Sequence, residues 1–582
     1  MSTHLYSLLL TLSTLLPCAT AKAQITESAV DAVAHMGVGW NLGNTLDASK
    51  GEGKDFTVSS YWGGQGLESE NYWGQPTTKS SLFAMMKNAG FGAIRVPVTW
   101  YNHMDASGKI NAAWMKRVHE IVDYVIDNGL YCILNVHHDT GADSDSHASW
   151  IKADADNYAR NKTRFEYLWQ QIAEEFKDYD HHLLFEGYNE MLDTKSSWCF
   201  ASFNTSGQYN MSIATSAYNG LNSYAQSFVS TVRATGGNNA SRNLIVNTYA
   251  AANGYGTWNT HLKDVLTKMN LPEDTAKGHL IFEVHDYPAI SKEQNGTVVS
   301  RTLSEIKSQV DGTIKVLKDY LVSKGAPVII GEWGTSNVDA GAGKTDYDAR
   351  RSLMMQFADY YVSQCKANGI ATFYWMGISD ASYRAVPAFS QPDLAETITK
   401  AYHGSTFRGE YPGLKEVSSL VAFEGEKAIG WGNGLTIPAT SFSMVSPTTP
   451  LVLTYKQTGS SDDLQFFYGD WSTKLSFKVD GRTYSGDFIP HSHYNTSTGT
   501  EHTTAVTFDT TTYNTLKQKG LIIHGNNVTI YKMVFEDPTG IESVSAPAKP
   551  SPIYNLSGQR VGGNRLSRGI YIKGGKTFVV KR

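Results

Sequence analysis

The run PVIIGEWG at residues 327–334 decides how this sequence is interpreted, because an apolar stretch ends on a glutamate, Glu332. A second run, LLFEGYNE at 183–190, has the same form and ends on Asn189 and Glu190. Continuous apolar runs of this length are typical of parallel strands that are buried on both faces. The two runs therefore predict two strands of a parallel sheet, each with a carboxylate at its carboxyl end.

Six further runs of the same kind lie before, between and after these two along the chain. Helical patterns separate several of them, because apolar residues recur on one face over 118–126 and again over 303–321. Strands that alternate with helices eight times predict an α/β fold, the (β/α)8 or TIM barrel. The eight predicted strands are Val38–Asn44, Gly92–Val98, Tyr131–His137, Leu183–Glu190, Leu244–Tyr249, Leu280–Tyr287, Pro327–Gly334 and Ala371–Gly377.

Polar and aromatic residues stand at the carboxyl ends of these predicted strands. In a (β/α)8 barrel such residues line the mouth at which ligands bind. We therefore expect one concave site to which several strands contribute. Its strand-end candidates are Arg95, His137, His138, Asn189, Glu190, His285, Tyr287, Glu332 and Trp375.

Two carboxylates at one site suit the hydrolysis of a glycosidic bond. One must hold a proton and give it to the leaving oxygen, while the other stays ionised to attack or stabilise the anomeric carbon. A guanidinium lowers the pKa of a neighbouring carboxyl, so Arg95 beside Glu332 is expected to keep Glu332 ionised. Arg95 could instead serve only to satisfy buried carbonyl oxygens, and this alternative stays open.

The motifs together resemble glycoside hydrolase family five, a family of retaining enzymes whose best-known members are endo-β-glucanases. The resemblance extends from Gln24 to about Tyr402, and the opening block looks most like the branch with endoglucanases, xyloglucanases and lichenases. The matching segments are GWNLGNTLD at 39–47, IRVPV at 94–98, NVHHD at 135–139, NE at 189–190, HDY at 285–287 and GEWG at 331–334.

The resemblance implies that Glu190 is the acid/base and Glu332 the nucleophile of a double displacement. It also implies that Arg95 holds the nucleophile and that Asn189 binds the 2-hydroxyl group of the sugar. The other implied substrate-binding residues are Trp40, Asn41, His137, His138, His285, Tyr287 and Trp375.

The implied activity is the cleavage of internal β-1,4-glucosidic bonds in cellulose, mixed-linkage β-glucan or xyloglucan. A mannanase, a xylanase or a transglycosylase on the same barrel is the alternative. A glycan-binding protein without catalysis conflicts with the complete set of strand-end residues.

The pair His137 and His138, followed by Asp139, could also indicate a metal site. Adjacent residues of a strand face opposite ways, however, and no regularly spaced carboxylate or cysteine completes a ligand set. We therefore predict no metal and no cofactor.

The composition excludes some partners and favours others. The 582 residues carry a formal net charge of −5 and no basic block, which gives no support to nucleic acid binding. Charged residues are few and aromatic residues plentiful, as a neutral polysaccharide would favour, and a monomer is expected. Four tryptophans in predicted loops could stack against sugars or pack the rim: Trp62, Trp73, Trp150 and Trp198.

Residues 1–23 have the features of an export signal, with a short apolar core at 8–16 and small residues before Gln24. The apolar core is too short to span a membrane, so no transmembrane segment is expected. We expect a secreted or cell-surface protein. An odd number of cysteines remains after the signal, which predicts no disulfide framework: Cys132, Cys199 and Cys365.

After Tyr402 the helical patterns disappear, and short alternating runs predict a smaller all-β sandwich followed by a short β-type tail. The aromatic residues Trp431, Tyr468 and Trp471 resemble those of carbohydrate-binding modules, or they are core residues of a spacer. The end of the chain resembles the C-terminal sorting domains of exported Bacteroidetes proteins. The predicted segments are a signal at 1–23, a catalytic barrel at 24–408, a sandwich at 409–538, a linker at 539–552 and a sorting tail at 553–582.

Overall fold

The computed structural model describes residues 25–49, 64–142, 149–203, 208–335, 350–430 and 433–536, together with the backbone of four short strands between 553 and 580. The chain divides into two compact units, Met1–Leu414 and Lys415–Arg582. The predicted signal and the predicted linker lie outside the described residues.

The first unit contains a closed barrel of eight parallel strands, and all eight come from the predicted runs. Several strands end earlier than predicted: the fourth ends at Glu186, so Glu190 lies in the loop that follows. In chain order the strands are β1 (Val38–Asn41), β2 (Ala93–Val96), β3 (Tyr131–Asn135), β4 (Leu183–Glu186), β5 (Leu244–Ala252), β6 (Leu280–Asp286), the hairpin β7 (Ser291–Gln294) and β8 (Thr297–Ser300), β9 (Val328–Trp333) and β10 (Ala371–Tyr374).

Helices surround the barrel, as the apolar stripes predict. In Ala112–Asp127 the stripe Val118, Ile121, Val122 and Val125 is buried. The α-helices are Ala29–Met36, Ser80–Ala89, Ala112–Asp127, Ala155–Glu175, Met211–Ala234, Asp264–Thr267, Leu303–Tyr320, Arg351–Ala367, Ser382–Ala385 and Pro392–His403; short 3-10 helices occupy Leu67–Asn71, Tyr101–His103, Gly237–Ala240, Thr260–Lys263 and Val322–Lys324.

The inward-facing side chains of the barrel form two layers of opposite character. Residues two apart on a strand face the same way, so each strand contributes to both layers. The lower layer is apolar and packs against the helix Ala29–Met36; it includes Ala93, Ile133, Leu184, Ile245, Ile281 and Ile329. The upper layer, two residues further along the same strands, consists of Arg95, Asn135, Glu186, Asn247, Glu283 and Gly331.

The second unit contains two antiparallel sheets that share one hydrophobic cluster. Phe466 of one sheet lies with its ring 4.3 Å from that of Phe477 in the other. The larger sheet contains β11 (Leu420–Ile429), β13 (Leu451–Gln457), β15 (Ser476–Val479), β16 (Arg482–Ser485), β18 (Glu501–Thr507) and β20 (Val528–Phe535); the smaller contains β12 (Leu435–Ile437), β14 (Asp463–Tyr468), β17 (Asp487–Phe488) and β19 (Leu521–Asn526).

Antiparallel sheets are present in this region as predicted, but the region also contains helices, which the sequence patterns did not predict. Helix Thr510–Lys519 begins after Asp509, whose side chain accepts a hydrogen bond from Thr512 N. Two short helices, Ala439–Ser443 and Pro490–Tyr494, are also present. A four-stranded antiparallel sheet follows, made of β21 (Ile553–Asn555), β22 (Arg560–Val561), β23 (Gly569–Lys573) and β24 (Lys576–Val580).

Two predictions about cysteines and membranes can be compared with the described residues. Cys132, Cys199 and Cys365 are all unpaired there. No helix in the described part of the chain combines the length and the apolar character that a membrane crossing requires.

Candidate active site

Arg95 lies in the upper layer of the barrel and has no exposed surface. Its Nε and Nη2 donate to the two carboxylate oxygens of Glu186 at 2.7 and 2.8 Å. Its Nη1 donates to Glu332 at 2.8 Å, and Nη2 also donates to the side-chain oxygen of Asn189 at 2.8 Å. The predicted contact between Arg95 and Glu332 is therefore present, and these donors bind side chains rather than backbone carbonyls.

Trp40 and Asn41 were predicted to bind substrate, yet neither has exposed surface. Asn41 accepts a hydrogen bond from Arg95 at 3.0 Å and donates to the carbonyl of Gly331 at 2.9 Å. The indole of Trp40 donates to the carbonyl of Met376 at 3.2 Å. Because both side chains are enclosed, in this structure they orient their neighbours and do not reach a sugar.

Glu332 is buried at the end of β9, and donors fix both of its oxygens. Oε1 accepts from Arg95, and Oε2 accepts from the hydroxyl of Tyr287 at 2.8 Å. Nδ1 of His285 lies 3.4 Å from Oε2. Charge-assisted hydrogen bonds of this kind hold a carboxylate in one direction, so Glu332 is oriented before a ligand arrives.

The pKa of Glu332 lies above its ordinary value, whereas the sequence argument expected Arg95 to lower it. Burial disfavours the ionised form most strongly, and the nearby charge of Glu190 acts in the same direction. The charge of Arg95 lowers the pKa of Glu332 but does not outweigh burial, because Arg95 also contacts Glu186 and Glu283. Glu283 lies 3.3 Å from Nε of Arg95.

Glu190 lies in the loop after β4, with about a quarter of its side chain exposed (24%). One oxygen of Glu190 and one of Glu332 lie within 4.8 Å of each other. Retaining glycosidases hold their carboxyls about 5 to 5.5 Å apart, and inverting enzymes about 6.5 to 9.5 Å. The separation fits the retaining geometry, with one buried and one accessible carboxyl.

His285 connects the two carboxyls, because its Nδ1 also lies 2.9 Å from Glu190 Oε1. Burial opposes a positive charge on the ring, but Glu332, Glu190 and Glu283 outweigh it and raise the pKa of His285 to about 10. His285 is therefore an imidazolium at neutral pH. A cation of this kind has no free lone pair, so this cluster of His285 and two carboxyls does not suit a metal ion.

His137, Asn189 and Trp375 lie together on another side of the site. The ring of His137 is stacked on that of Trp375, with centroids 5.9 Å apart and planes 5° apart. Nδ2 of Asn189 lies 3.4 Å from Nε2 of His137. Trp375 is partly exposed and presents a ring face on which a sugar can stack.

His137 and His138 lie close together, although the sequence argument expected them to face opposite ways. Their rings are 4.5 Å apart because both residues follow the end of β3, where strand alternation no longer applies. A ligand atom of Asp47 lies within 4.8 Å of both, so these three could surround a metal ion. Both oxygens of Asp47, however, already accept backbone N–H groups of Asn44 and Thr45, which makes Asp47 an anchor for the loop after β1.

A cavity of about 290 Å³ opens beside Glu190, His285 and Tyr287. Two tryptophans line it, Trp198 with 43% and Trp258 with 58% of its surface exposed. Exposed indole faces are the groups on which sugar rings stack. Sequence reasoning did not select Trp258, because it considered only strand ends and predicted loops next to recognised motifs.

The other predicted loop tryptophans differ from Trp198. Trp150 is buried and donates to Asp139 at 2.6 Å, so it packs the rim. Trp73 is partly buried and donates to the carbonyl of Ser49 at 3.0 Å. Trp62 lies outside the described residues.

Sequence reasoning also missed Glu186 and Glu283, the two fully buried carboxyls of the upper layer. A signal for them exists, since each is the first charged residue after three apolar residues of its strand, LLFE at 183–186 and LIFEVHD at 280–286. A charge in a buried strand requires a partner, and Arg95 is the cation within reach.

Known proteins support the family suggested by these motifs. The family model described as Cellulase (glycosyl hydrolase family 5) matches residues 50–380. Endoglucanase B from Neocallimastix patriciarum is 33% identical over 359 residues, which make up 61% of this chain and 66% of that protein. The chain thus spans slightly less than two thirds of this relative's length.

Two solved structures extend the comparison. A GH5-4 broad specificity endoglucanase from an uncultured bacterium shares 60% sequence identity at a TM-score of 0.60, over 66% of this chain and 97% of that chain. PbGH5A from Prevotella bryantii B14, in complex with a xyloglucan tetradecasaccharide, shares 42% identity at a TM-score of 0.55, over 66% of this chain and 100% of that chain. With the family model matching more than half of its residues, this chain belongs to glycosyl hydrolase family 5.

Proposed function

We propose that this protein is a retaining, endo-acting glycoside hydrolase that cleaves internal β-1,4-glucosidic bonds of plant glucans. The observation that carries the proposal is the pair Glu190 and Glu332, with oxygens within 4.8 Å of each other. Glu332 is buried and held by donors on both oxygens, as a nucleophile needs, while Glu190 is accessible beside a cavity.

In the first step Glu332 attacks the anomeric carbon, and Glu190 gives its proton to the leaving oxygen. The negative charge therefore moves from Glu332, which becomes an ester, to Glu190. His285 lies 2.9 Å from one carboxyl and 3.4 Å from the other, so its positive charge stabilises whichever is ionised. The imidazolium needs no movement between the two states.

In the second step Glu190, now a carboxylate, takes a proton from water as the water attacks the anomeric carbon. The ester bond to Glu332 breaks, and Arg95 and Tyr287 again donate to the released carboxylate. Two inversions leave the product as the β-anomer.

Several observations favour glucan substrates. PbGH5A was solved with a xyloglucan tetradecasaccharide, and the relative with 60% identity is described as a broad specificity endoglucanase. Aromatic faces at Trp375, Trp198 and Trp258 suit stacking against pyranose rings. We propose cellulose, mixed-linkage β-glucan and xyloglucan as substrates.

A reducing-sugar assay over cellulose, mixed-linkage β-glucan, xyloglucan, xylan and mannan tests the substrate class, with Glu332→Ala as the inactive control. Early products should be oligosaccharides of mixed length, as internal cleavage requires. Proton NMR should show the β-anomer first. Activity confined to xylan or mannan, release of only one small sugar, or an α-anomer formed first would each contradict a part of the proposal.

We also propose that the second unit binds glycan through its exposed aromatic surface. Trp471 is 50% exposed, and its ring lies 5.2 Å from that of Phe467. Tyr468 is partly buried with Lys519 over its ring, and Trp431 lies outside the described residues. Affinity electrophoresis in glucan gels should show weaker retardation for Trp471→Ala and no change for Ile489→Ala, an exposed control.

The proposed location is outside the cytoplasm, with residues 1–23 as the export signal and 553–582 as a sorting address, and the proposed state is a monomer. N-terminal sequencing of the exported protein should begin at Gln24. Light scattering should give the mass of one chain. A mature protein that retains the first residues, or a dimer mass, would contradict these proposals.

A further inference from the structure

Glu283 is a buried carboxyl that the two catalytic steps do not use. It lies in β6 two residues before His285, so both side chains face into the barrel. Its Oε1 lies 3.3 Å from Nε of Arg95 and 3.4 Å from Nε2 of His285. Neither of its oxygens accepts a hydrogen bond of ordinary geometry from a described residue, and Nε2 of His285 also has no such partner.

Glu186 has the opposite surroundings, although it lies in the same layer. Its oxygens accept two hydrogen bonds from Arg95, one from Asn135 at 3.0 Å and one from Asn247 at 3.3 Å. Burial opposes ionisation, yet the charge of Arg95 and these donors hold the pKa of Glu186 below its usual value. Glu186 is therefore the ionised member of the layer.

Glu283 and Glu186 both contact Nε of Arg95, at 3.3 and 2.7 Å, so the two carboxyls compete for one guanidinium. Two neighbouring carboxyls cannot both ionise in a buried site, so they share a proton. Burial and the negative charge of Glu186 raise the pKa of Glu283. Because the donors of Arg95, Asn135 and Asn247 are directed at Glu186, the structure assigns the proton to Glu283.

A protonated Glu283 gives a hydrogen-bond partner to Glu186 and to His285 at the same time. Its O–H donates to the carboxylate of Glu186, and its carbonyl oxygen accepts from Nε2–H of His285. The other nitrogen of His285 then donates to Glu190. The four side chains form a continuous hydrogen-bonded chain from the barrel interior to the proposed acid/base.

The backbone of β9 makes room for this arrangement. Gly331 immediately precedes Glu332, and a Cβ at position 331 would lie 1.5 Å from Oε1 of Glu283. No other residue could stand there while Glu283 keeps its place. The glycine at position 331 therefore leaves the space that the carboxyl of Glu283 occupies.

We propose that Glu283 is a positioning residue that carries a proton and that orients the acid/base Glu190 through His285. Three charged or titratable groups face it: Arg95 from β2, Glu186 from β4 and His285 from its own strand. The orientation of Glu190 for catalysis rests on the proposed glycosidase function. The proton on Glu283 and the contact between Glu283 and the ring of His285 do not depend on that function.

Two substitutions separate a protonated from an ionised Glu283. In Glu283→Gln the amide N–H donates to Glu186 and the amide oxygen accepts from His285, as the protonated acid does. This variant should keep kcat/KM on soluble glucan within about threefold, while Glu283→Leu, which lacks both groups, should lose roughly 100-fold through misplacement. Equal losses in the Gln and Leu variants would overturn the proton assignment.

Glu186→Gln is the matched control, because it changes the neighbouring carboxyl in the same way. Here the carboxylate that Arg95 needs is lost, and an amide N–H faces the guanidinium instead. This variant should lose activity and melt earlier than Glu283→Gln. If Glu186→Gln is tolerated and Glu283→Gln is not, the proton resides on Glu186 and the assignment is wrong.

The leaving group shows whether Glu283 acts through Glu190. A dinitrophenyl group leaves without a proton, so the burst of dinitrophenolate from dinitrophenyl cellobioside should be nearly unchanged in Glu283→Leu while hydrolysis of polymer falls. A purely structural role would lower both rates equally. That result would overturn the positioning role.

Two spectroscopic measurements need no activity, so they remain decisive if the wild-type protein cleaves no glycan. The infrared difference between wild type and Glu283→Gln at neutral pH should contain the band of a protonated carboxylic acid, because burial and the charge of Glu186 raise the pKa of Glu283. Nitrogen NMR should show the Nε2 signal of His285 shifted in Glu283→Leu and nearly unchanged in Glu283→Gln. The absence of the infrared band, or an unshifted signal in the Leu variant, would overturn the proposal.

Discussion

The two inward layers of the barrel come from the same strands, two residues apart, yet their chemistry is opposite. Ile245 and Ile281 in the lower layer pack in an apolar cluster, whereas Asn247 and Glu283 above them are polar. Burying an isoleucine stabilises the fold by about 1.5 to 3 kcal/mol, but burying an unpaired charge costs several kcal/mol. In this barrel the lower positions of each strand therefore stabilise the fold, and the positions two residues further along hold the groups of the candidate site.

The upper layer remains stable because its charges are paired. Arg95 contacts Glu186, Glu283 and Glu332 at 2.7 to 3.3 Å, and a proton on Glu283 removes one negative charge. The same pairing holds the groups that are proposed to react. Substitutions in the upper layer should therefore affect catalysis first, and substitutions in the lower layer should affect folding first.

The largest effect is expected at Glu332, the carboxylate that Arg95 of the upper layer holds and that is proposed to form the covalent bond. Glu332→Ala should lower kcat/KM by roughly 10⁴-fold or more on every β-glycoside, whatever the leaving group. Rates on soluble glucan and on dinitrophenyl cellobioside should fall together. A rate that persists on the aryl glycoside would show that another group is the nucleophile.

Glu190→Ala should have the next largest effect, and only where a proton is needed. Polymer hydrolysis should fall by about 10² to 10⁴-fold, while glycosyl-enzyme should still form from dinitrophenyl cellobioside. Azide should accelerate turnover and yield a β-glycosyl azide, because it attacks without a base. If azide instead rescued only Glu332→Ala, as an α-azide, and left Glu190→Ala unchanged, the two roles would be reversed.

A substitution in the lower layer should lower the stability of the fold and leave the catalytic rate nearly unchanged. Ile245→Ala leaves a cavity and should lower the free energy of unfolding by about 2 to 4 kcal/mol, measured by urea denaturation. Below its melting temperature the variant should keep kcat/KM within about twofold. Val30→Ala, on the exposed face of the helix beneath, should change stability by less than about 0.5 kcal/mol. Loss of activity in folded Ile245→Ala would show that the layers are not separable.

The charge on His285 should make the stability of the upper layer depend on pH. A folded-state pKa of about 10, above the usual 6.5, adds stability that is complete below pH 6.5 and is lost as pH rises toward 10. The loss approaches about 1.4 kcal/mol per pH unit. The stability difference between wild type and His285→Gln should therefore shrink over this range. If nitrogen NMR showed that the imidazole of His285 titrates near pH 6.5, the expected dependence of stability on pH would be contradicted.

Removal of the second unit should have the smallest effect on soluble substrate. The shortened chain should end at Leu414, because it then keeps Tyr411, which packs on the barrel core, and Pro412, whose carbonyl accepts a hydrogen bond from Phe389 N. Its rate on soluble glucan should equal that of the full chain. On insoluble glucan it should fall if the second unit adds local concentration. An equal loss on both substrates would mean that the barrel needs the second unit to fold.

Much of the site can be predicted from the amino-acid sequence. The eight strands, the glutamates at 190 and 332, and the contact of Arg95 with Glu332 follow from runs, strand ends and family motifs. Trp40 and Asn41 are the exception, because a motif shows which residues occur together and not which of them reach the surface. Trp150 cannot be placed from the sequence for the same reason.

What the sequence by itself determined is the barrel and the two carboxyls at its strand ends, Glu190 and Glu332, because apolar runs and helical stripes are local patterns with fixed periods. Only the tertiary structure decided how the charges are shared. Glu186 lies 91 residues from Arg95 along the chain, and Glu332 lies 237 residues away, yet both meet at the guanidinium of Arg95. That meeting depends on the register and closure of eight strands, and it is the burial and pairing produced there that set which carboxyl holds a proton.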